Sequence, residues 1–491
     1  MSAGERRSID LLISCGTVVD AGGLAVTDLA VADGSIVAVG ELAGRLDARR
    51  TLDARGLLVL PGLVDGHFHC AAASASPVAD DMRQGTISAV HGGVTTVMVH
   101  VFGSRGQPLA EALESFAATS GSQSVIDYGM HCGVRPEIEL VDQIPSVVSL
   151  GSRSFKFHLG YRKTGDGRMF DTDLLLAGME HVASVDGVAI VHAEDGHVID
   201  HLENKATALG RSDASSFLDT RPDIAEEMAM ERVVAVSELS GCPVLFAHLT
   251  SARSAARLAE LRARHDGLHA ETQPHYLVLT DDDLQEQGAM VKVGPPLRTA
   301  ADNVAIWEAL RRGTIESLSS DHVPYRRATK DAAGPDFLVD TPFGLPGVET
   351  MLGIAYSQGV VEGRVSLPRM VRFLAEAPAR RFGLFPRKGS LRPGADADIV
   401  IFDPRPSWTV TPDTLHSAAD FTPFEGWRFE GRVKSVFQRG RQVVADGELL
   451  GEPGDGTYLP QDPVDHFSSL AVPGAKDHRE GLVSGSPAVV P

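Results

Sequence analysis

Hydrophobic residues follow one pattern at the two ends of the chain and another in its middle. From about residue 9 to 56, and again from about 388 to 448, short apolar runs such as VADGSIVAVG and DADIVIFDP are broken by Gly and Asp. Alternation interrupted by turn residues is typical of short antiparallel strands. The pattern predicts a small β-sandwich domain built from both chain ends, over residues 1–56 and 385–450, with a C-terminal tail at 451–491.

Residues 57–384 alternate apolar runs of strand length with amphipathic patterns such as LAEALESFAATS and ADNVAIWEALRRG. Strands that alternate with helices are parallel, in a closed barrel or a large open sheet. No Gly-x-Gly-x-x-Gly follows the first strand, which disfavours a dinucleotide-binding sheet. We therefore predict an α/β fold with a catalytic (β/α)8 barrel of the TIM type, whose eight strands lie in GLLVLPGLVDGHFH, VTTVMVHV, SVIDYGMHCGV, RSFKFHL, VAIVHAED, PVLFAHL, GLHAETQ and IESLSSD.

Composition and charge limit the partners that the chain can have. The 491 residues include 65 acidic and 45 basic side chains, which give a formal net charge of −20. This balance argues against a surface for nucleic acid or an anionic membrane. The first residues, MSAGERRSIDLLIS, lack the long apolar stretch of a signal peptide or membrane helix. The four cysteines are far apart, as is typical of reduced thiols, so we expect a cytoplasmic protein.

Five of the predicted strands end in residues that suit a metal site. The active sites of such barrels lie at the carboxyl ends of the strands, and alternate residues of a strand share a face. Histidine and aspartate are ligands that zinc and similar divalent ions prefer. Each residue alone also has a structural interpretation, such as a hydrogen-bonded histidine or an aspartate that caps the next segment. Together they predict a metal centre made of His67, His69, Lys156, His192, His248 and Asp321.

Lys156 does not fit a simple cation site, because an ammonium group repels the ion and only the neutral amine or a derivative fits. At this point the sequence resembles a known family, the cyclic amidohydrolases, in their dihydropyrimidinase and hydantoinase branch. The resemblance runs from about Asp10 to Gly447. It is carried in order by PGLVDGHFH, GSRSFKFHLGYR, VHAEDG, AHLTS, AETQPHYLVLTDDDL, PPLR, SSDHVPY, GLPGVETML and RKGSLRPGADADIVIFDP.

The resemblance implies a centre of two divalent metal ions. It implies that carbon dioxide carbamylates Lys156 and that the resulting anion bridges the ions. Zinc is the metal we expect, and manganese and cobalt suit the same ligand types. The resemblance divides the other ligands between the ions, with His67, His69 and Asp321 on one and His192 and His248 on the other.

The activity implied by the resemblance is the opening of a small cyclic amide, a hydantoin or a dihydropyrimidine, to an N-carbamoyl amino acid. A hydroxide that bridges the ions attacks the ring carbonyl, since metal-bound water ionises near neutral pH. Tyr161 matches the family tyrosine that hydrogen-bonds the developing oxyanion. Asp321 matches the residue that carries the proton to the leaving nitrogen. Asp65 is expected to orient the ligands of the first strand.

Several positions depart from the family pattern and bear on the substrate. Residues 70–73 lack the arginine with which dihydroorotases hold a carboxylate, and Tyr161 favours a hydantoinase over an allantoinase. Gly294 stands where the family has a serine, and Phe343 where it has an asparagine. Both family residues bind the ring through their main chain, so we expect a change in pocket shape rather than in chemistry.

His158 replaces a bulky apolar residue of the pocket for the substituent outside the ring. We hypothesise that it reshapes this pocket; the alternative is a hydrogen bond to a neighbouring loop. His100 and His131 also end strand-like runs. We expect them to pack or hydrogen-bond beneath the site rather than to bind metal.

Other functions remain open at the level of sequence. The nearest alternative is a hydrolase of another cyclic amide, imide or lactone, allantoinase-like or imidase-like, at the same centre. A second is a non-catalytic scaffold such as the collapsin-response mediator proteins, although every ligand position is filled here. The resemblance also implies a homo-oligomer, a dimer or tetramer, in which the tail could reach a neighbouring subunit.

Overall fold

The computed structural model describes residues 8–42, 44–73, 77–162, 167–332 and 334–466. Within them the strands are β1 (Ser8–Asp20), β2 (Gly23–Ala32), β3 (Ser35–Gly40), β4 (Asp47–Asp53), β5 (Leu58–Pro61), β6 (Leu63–Phe68), β7 (Val94–Phe102), β8 (Asp127–Gly133), β9 (Ser154–His158), β10 (Val188–His192), β11 (Val244–Phe246), β12 (Leu268–Thr272), β13 (Ser317–Leu318), β14 (Ile399–Thr409), β15 (Arg428–Gln438), β16 (Arg441–Ala445) and β17 (Glu448–Leu449).

The helices of the described residues lie mainly between the strands β6 to β13. They are α1 (Met82–His91), α2 (Leu109–Ser120), α3 (Ile138–Val141), α4 (Thr172–Ser184), α5 (Gly196–Ala208), α6 (Ala214–Thr220), α7 (Asp223–Ser240), α8 (Ala252–Arg262), α9 (His275–Val278), α10 (Asp281–Gln287), α11 (Ala300–Arg312), α12 (Arg327–Asp331), α13 (Met351–Ile354), α14 (Leu367–Val371) and α15 (Ala377–Arg381). Two π-helical segments, Ala355–Val361 and Arg372–Glu376, continue α13 and α14.

Strands β6 to β13 form an eight-stranded parallel sheet in sequence order. The first and last strands meet through a bridge between Phe68 and His322, and the amide of Ser320 donates to the Asp65 carboxylate at 2.8 Å. The sheet therefore closes into a nearly complete barrel. All eight predicted apolar runs contribute a strand to it, which confirms the predicted barrel.

Helix α11 illustrates how local sequence sets the elements around the barrel. Thr299 and Asp302 form a reciprocal capping box at its start, and Gly313 ends it in the left-handed region, with φ of 88°. Its apolar face buries Ile306 and Leu310 against the barrel core. The face was visible in the sequence as helical periodicity.

Both chain ends contribute to a second, nine-stranded mixed sheet. Its order is β17-β16-β15-β14-β5-β1-β2-β3, and β4 pairs with β1. Its core buries Ile13, Ile36, Ile399 and Phe437 together, so residues from the two ends share one apolar cluster. This confirms the prediction that both ends build one β unit beside the barrel.

A buried ion cluster joins this sheet to the barrel. The Lys388 ammonium lies 2.6 Å from an oxygen of Asp127, the first residue of β8, and 2.7 Å from an oxygen of Asp398, which precedes β14. All three side chains are almost completely buried. Because one cation is shared between carboxylates of both parts, removing it would leave Asp398 without its cation and Asp127 with Arg439 as its remaining ion-pair partner.

The described part of the predicted tail, residues 451–466, packs on the barrel of its own chain. The amide of Leu459 donates to the Tyr128 carbonyl at 2.7 Å, and the Gln461 side chain donates to Ser154 at 2.7 Å. These contacts lie at the amino ends of the barrel strands, on the face opposite the predicted ligands. Residues 467–491, to which the expected subunit contact extends, lie outside the described residues.

Two expectations from composition can be compared with the described residues. None of their helices combines the length and the apolar character that crossing a membrane requires. The four cysteines are free thiols, and three of them are buried, which agrees with the predicted absence of a disulfide framework.

Candidate active site

The ligands predicted on the first and last barrel strands meet at the carboxyl ends of the strands. The Nε2 atoms of His67 and His69 each lie 3.3 Å from the same oxygen of Asp321. His67 and Asp321 are buried, and His69 is nearly so. Three donor atoms therefore converge on one point, as the resemblance implied for one ion.

The ligands predicted on the fifth and sixth strands form a second pair. Nδ1 of His192 lies 3.0 Å from Nε2 of His248, and both rings are buried. The rings of His67 and His248 are 5.7 Å apart between centroids. The two groups of donors are therefore adjacent, as a centre of two ions requires.

Lys156 is buried between these groups. Its Nζ has no hydrogen-bond partner among the described residues. Burial lowers the pKa of its amine to about 8, although the nearby carboxylates of Glu271 and Asp321 act in the opposite direction. A buried amine without a partner costs free energy, so this site fits an additional group that would satisfy it. The six predicted residues are brought together, and their donor atoms suit divalent ions.

Two carboxylates orient the histidines, and the sequence analysis missed both. Nδ1 of His67 lies 2.5 Å from a carboxylate oxygen of Glu271, and Nε2 of His192 lies 2.9 Å from one of Glu194. Ligand histidines commonly use their second nitrogen in this way, which fixes the ring and its tautomer. The available signals were the Glu two residues after His192 and the Glu in the AETQ run that ends β12.

The two carboxylates have different electrostatic environments. Burial is the larger effect for Glu271 and raises the pKa of its carboxyl. Burial also acts to raise the pKa of Glu194, but Arg221 and His192 outweigh it and lower that pKa to about 2. Arg221 donates to Glu194 at 3.0 Å and is itself buried. Glu194 is therefore a fixed anion behind the ring of His192.

Asp321 is held as an anion by the groups around it. Burial acts to raise the pKa of its carboxyl, but the hydrogen bond and charge of His69, with the charges of His248 and Lys156, lower it well below the usual value. The carboxylate is therefore ionised in the neutral pH range. Asp65 lies beneath it, and its carboxylate accepts from the amide and hydroxyl of Ser320 at 2.8 and 2.5 Å.

Two of the predicted ligands have strained backbones. His248 and Asp321 both lie in the left-handed region, with φ of 42° and 44°. Residues other than glycine rarely adopt this conformation, and it concentrates at functional sites where the surrounding structure enforces it. With this backbone conformation, both side chains lie at the point where the strand ends meet.

Tyr161 lies over this cluster, with its ring centroid 4.5 Å from that of His192. Burial raises the pKa of its phenol well above the ordinary value, and the charge of Glu194 adds to this. The hydroxyl therefore stays protonated and can donate a hydrogen bond. An added Cβ at Gly294 would lie 2.9 Å from the Tyr161 hydroxyl and 3.0 Å from the ring of Phe343. The two departures from the family pattern therefore lie next to each other and next to Tyr161, and the rings of Tyr161 and Phe343 occupy the space that a side chain at Gly294 would need.

His158 lies at the end of β9 beside the same aromatic rings. Its ring is 5.4 Å from Tyr161 and 5.4 Å from Phe102 between centroids. Its Nδ1 is buried without a hydrogen-bond partner among the described residues, so no loop hydrogen bond satisfies this atom. Burial is the main cause of a pKa well below the ordinary value, so the ring is neutral.

Comparison with known proteins identifies relatives along almost the whole chain. The profile described as "Amidohydrolase family" matches residues 58–443. The D-hydantoinase of Ralstonia pickettii is 36% identical over 457 residues, which cover 92% of this chain and 98% of that protein. The D-hydantoinase of Rhizobium radiobacter is 37% identical over 458 residues, with the same two coverages. The solved structure of dihydropyrimidinase from Brevibacillus agri superposes with a TM-score of 0.88 at 32% identity, covering 92% of this chain and 99% of that one.

These matches agree with the geometry of the site. The profile spans most of the chain, and it includes the barrel strands and all six predicted ligands. The relatives are matched over nearly their full length rather than over a single motif. The chain therefore belongs to the metal-dependent amidohydrolase family and, within it, to the hydantoinase and dihydropyrimidinase branch.

Proposed function

We propose that the chain hydrolyses the ring amide of a hydantoin or a dihydropyrimidine to an N-carbamoyl amino acid, at a centre of two divalent metal ions. The observation that carries the proposal is the convergence of donor atoms around one unsatisfied buried amine, Lys156 Nζ. The names of the matched relatives, D-hydantoinase and dihydropyrimidinase, support the same substrate class.

The residues that hold the ions divide by their contacts. His67, His69 and Asp321 would hold one ion, because their donor atoms lie within 3.3 Å of the shared carboxylate oxygen. His192 and His248 would hold the other, through the nitrogens that lie 3.0 Å apart. We propose zinc for both, with manganese and cobalt as alternatives that suit the ligand types.

Lys156 would join the two ions as its carbamate. Carbamylation forms a bond between the neutral amine and carbon dioxide and releases one proton. Counted from the ammonium form, two protons leave and a cation becomes an anion. The buried Nζ without a hydrogen-bond partner supports this assignment, because an unmodified ammonium group would be repelled by the ions. The carbamate oxygens would then be anionic ligands at the position of the amine, as a two-ion centre needs.

The residues around the ions would direct the chemistry. When bound, the ions supply Lewis acidity and lower the pKa of water. Tyr161 donates its hydroxyl hydrogen to the carbonyl oxygen as negative charge develops there. Asp321 accepts a proton from the attacking water and delivers it to the ring nitrogen as the C–N bond breaks. The carbonyl carbon gains the water oxygen and becomes a carboxyl group, and the ring nitrogen leaves with the delivered proton as the NH2 of the N-carbamoyl group.

Substrate contacts would come from three positions that depart from the family pattern. Gly294 keeps both backbone groups available to the ring, since the substitution of a serine by glycine leaves N–H and C=O in place. Phe343 and His158 would line the pocket with Tyr161, whose ring is 5.8 Å from Phe343 and 5.4 Å from His158. The pocket shape, rather than the ions, would then decide which ring is preferred.

Metal content and a substrate panel test the proposal. The purified chain should contain two divalent ions, and its mass under native conditions should carry a carbamate on Lys156. It should open hydantoin and dihydrouracil faster than allantoin, dihydroorotate, succinimide and simple lactones. A chain without stoichiometric metal, as expected of a scaffold, would contradict the proposal, and a preference for imides or lactones would replace the substrate class.

A lysine variant tests the carbamate itself. Lys156→Ala should lose metal and activity, and added acetate or propionate should restore part of both by supplying the missing carboxylate. Lys292→Ala is a matched control, because Lys292 is equally buried but donates to the carbonyls of Leu338 and Thr341, at 3.1 and 2.8 Å. Equal rescue of both variants would contradict a bridging role for Lys156.

We also propose that the chain is a homodimer or homotetramer. Strands β2 and β3 expose apolar side chains, with Val26 73% and Val39 39% exposed, and such exposure supports a covered surface. Sedimentation of the wild type and of Val26→Asp tests this; a monomeric wild type would contradict it. We further propose that the chain is divided into three parts. These are a small β domain of residues 1–56 with 385–450, a catalytic barrel of residues 57–384, and a tail of residues 451–491.

A further inference from the structure

A fifth histidine lies beside the ligands of the first barrel strand. His100 is near the carboxyl end of β7, which neighbours β6 in the barrel. Its ring centroid is 4.2 Å from that of His67 and 5.1 Å from that of His69. One donor atom from each of these three residues can be chosen so that all lie within 4.8 Å of one another. Two nitrogens bound to one ion are at most about 4.2 Å apart, so a small inward shift of the rings would let one ion contact all three.

The ring nitrogens of His100 have no hydrogen-bond partner among the described residues, although the ring is completely buried. A neutral imidazole carries one donor and one acceptor, and leaving either unsatisfied away from water costs about 1–3 kcal/mol. A buried polar group of this kind in a functional site points to a missing ligand. The expectation that His100 packs or hydrogen-bonds beneath the site therefore leaves its nitrogens unexplained.

His131 provides an internal comparison. It pairs with His100 in the register of β7 and β8, and the two ring centroids are 4.5 Å apart. Both nitrogens of His131 are satisfied, at 2.5 Å from the Ser154 hydroxyl and 3.0 Å from the Gly66 carbonyl. This is the structural role that the sequence analysis expected of both residues. His100 packs against its neighbours as expected, but of the two residues His131 alone has hydrogen-bond partners for its nitrogens in the described part of the chain, so burial in this layer does not by itself leave an imidazole unsatisfied.

We propose that His100 is a further nitrogen ligand of the ion held by His67 and His69. The inference rests on the proposed two-ion centre and adds to its ligand set. A hydrogen bond from His100 to the modified Lys156 is the competing role. The distances favour ligation, because a His100 nitrogen lies within reach of the donor atoms of both His67 and His69.

The extra ligand would make the two ion sites unequal. Besides the carbamate of Lys156, which both ions would share, the first site would have three imidazoles and the Asp321 carboxylate. The second site would have the imidazoles of His192 and His248. Nitrogen-rich sites favour zinc and cobalt over manganese. We therefore expect the first site to fill before the second and to select cobalt or zinc over manganese.

Cobalt binding tests the inference without relying on activity. Wild type, His100→Phe and His100→Asn would be titrated with Co²⁺ against a competing chelator while visible absorption is recorded. The variants should weaken binding of the tighter ion by more than the about 10–100-fold that is typical of an outer-shell partner, and they should alter the absorption that appears with this ion. His131→Asn is the matched control, and its first cobalt should keep the wild-type spectrum. Two His100 variants are used, and circular dichroism shows whether each is folded. If one variant is misfolded, the other still tests the ligand role.

The outcomes separate this inference from the proposed function. If wild type binds two ions and opens hydantoin while both His100 variants keep its affinity and spectrum, the ligand role of His100 is overturned and the function stands. The ligand role is also overturned if the variants lose only the carbamate on Lys156, with the first cobalt unchanged. If wild type takes up no cobalt, both proposals fail.

Discussion

Gly294 sets how closely the backbone approaches Tyr161, so Gly294→Ala is a sharp test of the site. The added Cβ would lie 2.9 Å from the Tyr161 hydroxyl and 3.0 Å from the Phe343 ring. Nonbonded heavy atoms are most stable about 3.5–4.0 Å apart, so a shift of at least about 0.5 Å is needed. The φ of Gly294 is not in the left-handed region. The effect would therefore be steric contact rather than backbone strain.

The expected magnitude follows from the displacement of the phenol. A misplacement of about 1 Å in an active site can lower the rate about 10²-fold. A shift of about half that distance should then lower kcat about tenfold, close to 1.4 kcal/mol of transition-state stabilisation. KM should change less, because the Tyr161 hydrogen bond strengthens mainly as the oxyanion develops.

The assay is the initial rate of hydantoin ring opening, with kcat and KM measured separately. Gly22→Ala is the control, since no atom lies within 4 Å of its added Cβ and its φ is not in the left-handed region. In a Tyr161→Phe background the hydroxyl is absent, so Gly294→Ala should cost less than it does in wild type. An unchanged kcat in a folded Gly294→Ala protein, or strict additivity with Tyr161→Phe, would refute the contact as the cause.

The remaining predictions concern the oxyanion, the ion cluster and the metal. Tyr161→Phe should lower kcat about 10²–10³-fold with unchanged metal content; a loss of metal instead would indicate a structural role. Lys388→Met should destabilise the fold by about 3–5 kcal/mol in urea unfolding, because Asp127 and Asp398 lose their shared cation. Lys434→Met, at a solvent-exposed ion pair, should cost less than about 1 kcal/mol, and equal losses would contradict the role of burial. Chelation should abolish hydrolysis and lower Tm, and added Zn²⁺ should restore both; full activity without metal would exclude the proposed centre.

The fold was predictable because its signals are local in the sequence. Each barrel strand is a short apolar run between turns and helices, and each predicted run became a strand. The ligand positions followed, since residues at the carboxyl ends of parallel strands must meet. The same reasoning brought together His67 and Asp321, which are far apart in the chain but 3.3 Å apart in space.

Contacts between side chains distant in the chain were not predictable from one sequence. Glu271 orients His67 from the seventh strand, 204 residues away, and no local period marks such a pairing. Gly294 and Phe343 were each recognised as departures from the family pattern. Only the structure shows that the Phe343 ring fills space that a side chain at position 294 would need. Residues 451–466 dock through several hydrogen bonds to the barrel and through the buried side chain of Leu459, and a composition rich in Gly and Pro does not reveal these contacts.

Placing the predicted ligands at the strand ends costs free energy of folding, and this cost explains why metal binding and folding should be coupled. Strained backbone at His248 and Asp321 costs about 1–3 kcal/mol each. The unsatisfied nitrogens of Lys156 and His100 add about 1–3 kcal/mol per group. These terms together are comparable with the total stability of a typical domain, about 5–15 kcal/mol. A carbamate on Lys156 and an ion bound by His100 would satisfy these nitrogens, and binding to the folded chain would offset the cost by mass action. The convergence of donor atoms therefore has two effects. It lowers the stability of the barrel, and it gives the barrel affinity for the ions.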